Sequence, residues 1–385
     1  MVKSSLPMLN HERESPNYNP AIKDALQSNE LFQKLAVLIT SEEFPEIRDA
    51  EFFIRHDGSI VNAEGWYHPE GMLLGEVLYV PNLNGDRTIF GQKYKKTTLY
   101  PGTLDPIPYN GRAGVLSQYD TSLNQVSQNP YYARYKQLFP RKDFLAYLPA
   151  HKTLVSILSD PSTQSDKIKL DLADSEKLLG LTLDVMNVGL TGGLLLGNYI
   201  DFHDLDFVFG ESLEENIRIA KRIRDLVTKD PSRRVVEGGK GWGIRYYNNL
   251  GTLMCNFFTY KNPAEAPLRD FKMDVIEEDV VIEAEIVDDT HGIYTPTVLS
   301  IEIFNLITRE GKTVNSSTLD STRLIAYHTA TRGECFQGDR VKARGALVNI
   351  HTPTDEYKAI CVIEREGIRN MTPAWKNYYD NPEIT

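Results

Sequence analysis

Residues 189–210 read GLTGGLLLGNYIDFHDLDFVFG, and the rest of the chain is interpreted outward from them. Gly192 and Gly193 are followed, after a ten-residue gap, by an acidic-apolar-acidic tripeptide and an apolar run. Side chains of a strand alternate between its faces, so Asp204 and Asp206 point the same way, roughly 7 Å apart along the chain. Two carboxylates in an apolar strand are costly to bury unless they face a cation. The pattern therefore predicts a divalent-metal site.

The sequence on either side of this stretch predicts a small mixed sheet with helices on one face. A helix that starts near a serine is expected over Ser175–Met186, and an amphipathic helix carries an apolar stripe from Leu213 to Val227. Two strands, Trp242–Tyr247 and Leu253–Tyr260, surround a turn-forming segment at 248–251, so we expect a hairpin.

The N-terminal third predicts a helix followed by an antiparallel meander. Helical spacing covers Ala21–Thr40, and a long glycine- and proline-bearing loop covers Pro81–Pro130. Helical texture resumes at Tyr131–Phe139 and Lys142–Leu158. The meander consists of three strand-like segments separated by turn signals, Glu51–Arg55, Ile60–Trp66 and Met72–Val80.

Cations are frequent in the predicted loop, and two interpretations are open. In the first interpretation these cations are solvated on a surface loop, and in the second they contact phosphate. These cations are Arg87, Lys93, Lys95, Lys96 and Arg112.

The C-terminal third is rich in short strands, which is typical of a small closed or partly open β-barrel. The segments are Val280–Val287, Leu324–His328, Arg340–Ile350 and Tyr357–Val362. At 385 residues the chain exceeds what one hydrophobic core usually supports. We therefore predict an α+β fold in five parts: a flexible lead-in (1–20), an N-terminal helix-and-meander domain (21–130), a core (131–270), a C-terminal small β-barrel (271–370) and a tail (371–385).

Composition limits the classes of partner. The net charge of -11 disfavours bulk duplex DNA, which needs a basic surface, but a nucleotide carried with its metal stays compatible. The three cysteines show no CxxC spacing, so neither a disulfide scaffold nor a structural zinc site is indicated. No apolar run approaches the roughly 20 residues that cross a bilayer, and the first 20 residues lack a signal-peptide pattern. We expect a cytoplasmic protein without membrane contact.

The glycine pair, the gap and the two acids resemble the nucleotidyltransferase superfamily typified by DNA polymerase beta. The resemblance implies that Gly192 and Gly193 contact the triphosphate of a bound NTP, such as ATP. It also implies that Asp204 and Asp206 are catalytic and ligate Mg²⁺ or Mn²⁺. Two such ions about 3.5–4 Å apart stabilise the attacking and leaving oxygens of an in-line displacement.

The third acid of this superfamily normally lies on a neighbouring strand. The best-placed strand is Leu253–Tyr260, and it offers Asn256 there, which gives a neutral oxygen ligand but cannot act as a base. Asn256 is therefore the predicted additional metal ligand, and an acid from elsewhere is the alternative. The candidate acids are Glu283, Glu285, Asp288 and Asp289.

Other side chains have two interpretations each. Arg245 contacts the triphosphate or forms a surface ion pair, and Lys240, in a glycine-rich loop without Walker A spacing, is a candidate phosphate lysine. His203 touches a phosphate or is merely exposed. The C-terminal region binds single-stranded nucleic acid or serves as a structural lid. Its candidate contacts are Tyr327, Arg332, Phe336, Arg340, Lys342 and Arg344.

Short motifs across the chain are similar to those of uncharacterised archaeal-type predicted nucleotidyltransferases. They are Arg48-Asp49, Gly65-Trp66-Tyr67-His68-Pro69, Tyr79-Val80-Pro81, Gly85-Asp86-Arg87, Asp288 and Tyr294-Thr295-Pro296. The expected activity is transfer of an NMP from an NTP to a hydroxyl acceptor, preferably an RNA 3′ end. One alternative is a catalytically weak or inactive nucleotide- or nucleic-acid-binding protein. A second is a toxin-like or antiphage transferase that modifies tRNA or protein. The sequence makes no prediction of oligomeric state.

Overall fold

A computed structural model describes most of the chain. The described residues are 20–40, 44–96, 130–134, 136–159, 166–199, 202–237, 240–308, 310–311, 322–364, 367–373 and 375. Within them the fold is α+β and strand-rich, with three sheets and few helices. The α-helices are α1 (Pro20–Gln27), α2 (Glu30–Leu35), α3 (Ala150–Ser159), α4 (Asp166–Leu179), α5 (Gly192–Leu195) and α6 (Leu213–Lys229).

The first sheet contains the predicted meander, which is confirmed as three antiparallel strands, β2, β3 and β4. The sheet runs β1-β8-β2-β3-β4-β6-β5, and β7 pairs with the start of β4. Its strands are β1 (Val37–Leu38), β2 (Phe52–Arg55), β3 (Ile60–Ala63), β4 (Met72–Pro81), β5 (Arg87–Ile89), β6 (Gln92–Lys96), β7 (Gln137–Pro140) and β8 (Phe144–Leu148).

Several expectations for this region are corrected. The predicted loop begins with a hairpin, β5–β6, and its remainder at 97–129 lies outside the described residues. The predicted helices at 131–139 and 142–158 are β7, β8 and α3, because short apolar runs such as Phe144–Leu148 do not distinguish a buried strand from a helix. The first sheet therefore extends past residue 130, and Ala21–Thr40 divides into α1, α2 and β1.

The second sheet is mixed and carries the glycine and aspartate stretch. It has five strands in the order β11-β12-β13-β10-β9, and β10 is parallel to β13 and antiparallel to β9. The predicted hairpin is confirmed as β12–β13. The strands are β9 (Val188–Leu190), β10 (Asp204–Phe209), β11 (Arg234–Glu237), β12 (Lys240–Tyr247) and β13 (Leu253–Phe258).

The two faces of β10 contribute to different cores. Leu205, Phe207 and Phe209 join a cluster that contains buried residues of α3, α4 and α6, so these helices pack on one face. Val208 points the other way and joins the core of the first sheet. Helix α6 begins after Ser212, whose hydroxyl caps Glu215 N–H, as a helix-starting serine should. The helix expected to start at Ser175 instead starts at Asp166 in α4.

The third sheet is a half-barrel. The long strand β14 pairs with β15 along one edge and with β17 along the other, so the sheet curls on itself. The order is β14-β15-β16-β18-β17-β19. The strands are β14 (Lys272–His291), β15 (Thr297–Ile307), β16 (Arg323–Ala326), β17 (Arg340–His351), β18 (Glu356–Val362) and β19 (Ile368–Asn370).

A buried ion pair joins the half-barrel region to the first sheet. Nη1 of Arg332 lies 3.2 Å from Oδ2 of Asp49, and both side chains are 3% exposed. Oδ1 of Asp49 accepts a hydrogen bond from Gly65 N–H at 2.7 Å. Burial raises the pKa of Asp49, and the charge of Arg332 opposes that rise. A desolvated carboxylate is therefore one of the contacts between the N-terminal region and the half-barrel region.

The half-barrel region also touches the second sheet, at a pair of glycines. A Cβ built on Gly243 in β12 would lie 2.0 Å from the carbonyl oxygen of Gly333. The reverse direction is equally crowded, since a Cβ on Gly333 would lie 2.2 Å from Cγ2 of Ile244. The two backbones can approach this closely only because neither residue has a side chain. Among the described helices, none has both the length and the apolar character needed to cross a membrane.

Candidate metal and nucleotide site

The turn between β9 and β10 fits directly around Asp206. Thr191 N–H donates to the Asp206 carbonyl at 2.9 Å, and the Thr191 hydroxyl donates to the carbonyl of Ala50 in the first sheet. The chain then turns at Gly192, with φ +64°, and enters the short helix α5. A Cβ on Gly192 would lie 1.9 Å from Oδ2 of Asp206. Glycine is required here both by the left-handed backbone and by the neighbouring carboxylate.

Strand register places three polar side chains in a row. Asp206 of β10 pairs with Cys255 of β13, and Cys255 pairs with Arg245 of β12. Side chains of paired residues lie on the same face of a sheet. The row therefore runs Asp206, Cys255, Arg245 across three adjacent strands, with Asp204 two residues before Asp206 on the same face.

One group of three metal-ligating side chains is found among the described residues. It consists of Asp204 and two members of the row, Asp206 and Cys255. One ligand atom each from Asp204, Asp206 and Cys255 lies within 4.8 Å of the other two. Asp204 is exposed, Asp206 is half-buried and Cys255 is only 1% exposed. The site therefore has an open side at Asp204 and a closed floor at Cys255.

The electrostatics of the row favour a cation. Burial and, to a smaller extent, the nearby charge of Asp204 raise the pKa of Asp206 to about 7. Arg245, a hydrogen bond from the Cys255 thiol and the charge of Lys96 act in the opposite direction. A carboxylate whose charged form is disfavoured by burial and by a like charge gains most from a bound cation.

The donor set fits a divalent cation. Carboxylate oxygens suit Mg²⁺ and Mn²⁺, which the sequence predicts. Two ligands about 2.0–2.3 Å from one metal are at most about 4.5 Å apart, so ligand atoms within 4.8 Å of one another need at most a small movement to share one ion. The third donor is a thiol, which distinguishes this site from an all-carboxylate one.

The first sheet supplies a wall of the site. Tyr79 of β4 pairs directly with Lys96 of β6. Tyr79 packs against the core cluster that contains Val208, which lies two residues from Asp206 on the same face of β10. Burial raises the pKa of Tyr79, and the charges of Asp206 and Asp204 contribute to the rise. Lys96, one of the cations in the predicted loop, likewise acts on Asp206. Arg112 lies outside the described residues.

The prediction for Asn256 is corrected. Asn256 pairs with Phe207, so it faces the helix-covered core and not the acids. It is 2% exposed, and its Nδ2 donates to the Ile244 carbonyl at 2.8 Å. The residue beside Asp206 is its neighbour Cys255. A one-residue difference in position along a strand changes the face, and the sequence does not fix that register.

The alternative acids for the third ligand are placed elsewhere. Glu283 and Glu285 pair into the half-barrel between β15 and β17. Asp288 accepts from the Thr290 hydroxyl at 2.6 Å, and Asp289 lies 3.0 Å from Nζ of Lys221. None of these four belongs to the metal-ligating group defined above.

The other predicted phosphate contacts are Arg245, Lys240 and His203. The Arg245 guanidinium lies 3.8 Å from the ring centre of Trp242, within the row. The side chain of Lys240 lies outside the described residues, although its backbone begins β12. His203 is exposed immediately before β10, and its carbonyl accepts from Leu253 N–H at 3.3 Å.

Three of the six predicted single-strand contacts on the C-terminal region are buried. Tyr327, Arg332 and Phe336 are core or junction residues, exposed by 3% or less. Arg344 is exposed but paired with Asp279 at 2.5 Å. The prediction that these side chains form a nucleic-acid surface is therefore wrong for Tyr327, Arg332 and Phe336.

A cavity of about 230 Å³ lies at the other end of β10 and β13, away from the acids. Its lining includes Glu51, His151, Val208 and Thr259. Oε2 of Glu51 is buried without a hydrogen-bond partner among the described residues, and burial raises the pKa of that side chain. The cavity is thus a separate feature and not a continuation of the acidic row.

Sequence reasoning missed Cys255 and did not single out Lys96. No local signal identifies Cys255, because its place beside Asp206 depends on the register in which β13 pairs with β10. Comparison with known proteins adds nothing to this assignment, since no family model, curated protein or solved structure matches the chain.

Proposed function

We propose that this protein is a metal-dependent nucleotidyltransferase. It moves an NMP from an NTP to a hydroxyl acceptor and releases pyrophosphate. The observation that carries the proposal is the contact between the Gly192 turn and Asp206, with Asp204 on the same face of β10. A side-chain-free turn and two adjacent carboxylates meet at one point, as transfer of a metal-bound nucleotide requires.

Each group in the row has a role in this proposal. Asp204 and Asp206 hold the metal, which when bound neutralises phosphate charge and stabilises the oxygens of an in-line displacement. Gly192 and Gly193 begin α5, and the first N–H groups of a helix have no partner within the helix, so they are suited to phosphate oxygens. Arg245 and Lys96 supply positive charge on two sides of the acids.

The acceptor enters from the open side of the site at Asp204. Tyr79 and Lys96 belong to the first sheet and interact electrostatically with the acids, so a chain bound between them and the acids runs between two sheets. An RNA 3′ end is the preferred acceptor, because a polynucleotide strand fits between two flanking β regions and offers a terminal hydroxyl. Protein side chains and small molecules are the other hydroxyl acceptors of this class.

A second candidate is a protein that binds a metal nucleotide without turnover. It is favoured by one observation: among the described residues, the row has Cys255 where a third carboxylate completes such sites. In this case Asp204 and Asp206 bind the nucleotide, and no acid on β13 activates the acceptor hydroxyl.

The test is a labelling reaction with the full chain. The protein is incubated with each α-labelled NTP, Mg²⁺ or Mn²⁺, and total RNA or cell lysate. Label on RNA supports the preferred acceptor, and label on protein supports the modifying alternative. The Asp206→Asn variant should lose the label, whereas Asp225→Asn, an exposed change on α6, should keep it. Binding of NTP without any Asp206-dependent label would support the second candidate.

A further inference from the structure

We propose that Cys255 is a metal ligand and that the site prefers a thiophilic divalent cation to Mg²⁺. The Cys255 thiolate would complete a three-residue donor set with Asp204 and Asp206. The proposal rests on the proposed function in one respect, namely that the two aspartates hold a metal.

The register of β13 against β10 places Cys255 beside the two carboxylates. Cys255 lies directly across from Asp206 in a parallel strand pair, and its sulfur belongs to the group of ligand atoms within 4.8 Å of one another. Cys335 and Cys361 are also buried, but neither belongs to this group. Cys255 is therefore distinguished from the other cysteines by its position beside two carboxylates.

The packing around Asp206 is tight on one side and open on the other. A Cβ on Gly192 would lie 1.9 Å from Oδ2 of Asp206, so the turn packs directly against this carboxylate. Cys255 is almost fully buried on the same face of the sheet, whereas Asp204 is exposed. A carboxylate held between a buried thiol and a packed turn is costly to leave charged without a cation.

Nearby cations offset the negative charge of the three donor side chains. When a metal binds, the S–H bond of Cys255 breaks, the proton leaves to solvent, and the sulfur electron pair forms the bond to the metal. Two carboxylates and a thiolate exceed the charge of one divalent cation. Arg245, paired with Cys255 on the next strand, and Lys96 compensate the excess.

The ligand type sets the preference. Mg²⁺ takes oxygen ligands and dehydrates reluctantly, whereas thiolates select softer ions such as Zn²⁺. We expect Zn²⁺, Co²⁺ and Cd²⁺ to bind in contact with sulfur. Mg²⁺ should bind through the carboxylates alone and more weakly.

The experiment is a titration of the metal-free full chain with Co²⁺ and with Cd²⁺, followed by near-ultraviolet absorbance. A sulfur-to-metal charge-transfer band should grow to one equivalent in the wild type and in Asp225→Asn. It should vanish in Cys255→Ser, which keeps Cys335 and Cys361. Loss of even an outer partner of a metal ligand costs about 10–100-fold in affinity, so the preference for Zn²⁺ over Mg²⁺ should fall by at least about tenfold in Cys255→Ser.

Two results of this titration would contradict the assignment of Cys255 as a metal ligand. A band that survives in Cys255→Ser, or no band although Mn²⁺ still binds to the wild type, would overturn the assignment. Cys255→Ala serves as a second variant, with its fold checked by circular dichroism. If the band appears but no Asp206-dependent labelling is found, the proposed transferase fails and the thiolate site stands. If labelling proceeds with Mg²⁺ and no band forms, the proposed transferase stands and the thiolate site fails.

Discussion

Gly192 and Asp206 occupy adjoining space: a Cβ on the glycine would lie 1.9 Å from Oδ2 of the carboxylate. The turn that approaches a ligand and the acid that holds a cation are therefore one packed unit. Movement of either one displaces the other. This contact explains why the stretch tolerates no side chain at residue 192, and it leads to the first test.

Gly192→Ala should weaken metal binding more than it weakens the fold. The alanine must adopt φ +64° at a cost of about 1 kcal/mol, and its methyl group must also push Asp206 out of position. We expect the Mn²⁺ affinity to fall by about tenfold or more. Isothermal titration of the metal-free protein measures it.

Gly180→Ala is the matched control for that change. Gly180 has a nearly identical φ of +62°, and nothing lies within 4 Å of a Cβ built there. It should lose the same backbone contribution to the unfolding free energy and keep its Mn²⁺ affinity. Equal metal affinities for the two variants would contradict the packing of Gly192 on Asp206.

Asp206→Asn should stabilise the metal-free protein in a pH-dependent way. The pKa of Asp206 is raised from 3.8 to about 7, so between these values the unfolded chain has released a proton that the folded chain still holds. The unfolding free energy of the wild type therefore falls as pH rises from about 4 to about 7. Asparagine has no proton to lose, so the variant should be more stable at pH 8, with a gain that shrinks towards pH 4.

Urea denaturation in the presence of a chelator, at several pH values, measures this gain. Asp204→Asn is the companion variant, because it removes the like charge that contributes to the shift, and it should give a smaller gain. Saturating Mn²⁺ should reverse the order, since only the wild type binds it tightly. A gain independent of pH would rule out the raised pKa as its cause.

Lys96→Gln should weaken NTP binding. Lys96 acts electrostatically on Asp206 from the opposing sheet, where the phosphates of a metal nucleotide would lie. An exposed charge near a phosphate contributes modestly, so we expect the NTP dissociation constant to rise several-fold, for about 1 kcal/mol. Lys95→Gln removes the same charge from the other face of β6 and should have a smaller effect. Equal losses would mean that general positive charge, and not the position of Lys96, attracts the nucleotide.

Arg332→Met should destabilise the whole chain. It leaves the buried Asp49 carboxylate without its cation, and breaking a buried pair costs about 3–5 kcal/mol. Adding Asp49→Asn should restore much of the loss, because the amide carries no charge and its oxygen still accepts from Gly65 N–H. Arg344→Met, in the exposed pair with Asp279, should cost less than about 1 kcal/mol. Additive losses in the double variant, measured by urea denaturation, would show that the pair is not coupled.

Asn256→Asp and Cys255→Asp should have opposite effects. A carboxylate at 255 lies beside Asp206 and supplies an oxygen ligand, so the Mg²⁺ affinity should increase. A carboxylate at 256 faces the carbonyl of Ile244 inside the core, so the unfolding free energy should fall and metal binding should not improve. Improved Mg²⁺ binding by Asn256→Asp alone would favour the register that the sequence analysis assumed.

Local signals accounted for the elements that the sequence predicted well. The alternation of β10, the turn residues between β12 and β13 and the apolar stripe of α6 are short-range features, and the structure has all three elements. The strands β7 and β8 were not predicted, because they are stabilised by pairing with β4 and β2 far away in the chain. Such pairing overrides local propensity.

The site was predictable only in its first half. Asp204 and Asp206 follow from one strand, but the residue beside Asp206 depends on the register of a second strand 50 residues later. Asn256 and Cys255 are adjacent in sequence, and they lie on opposite faces. Lys96 depends on how the first sheet packs on the second. These long-range relationships carry no signature in a single sequence.

The contact between Gly243 and Gly333 couples the half-barrel region mechanically to the acidic row. Gly243 lies in the same strand as Arg245, and the carbonyl of Gly333 presses against its Cα. Neither backbone can slide past the other without a clash. A partner that shifts the segment around Gly333 would therefore move strand β12, and with it the Arg245 guanidinium, without touching the metal ligands.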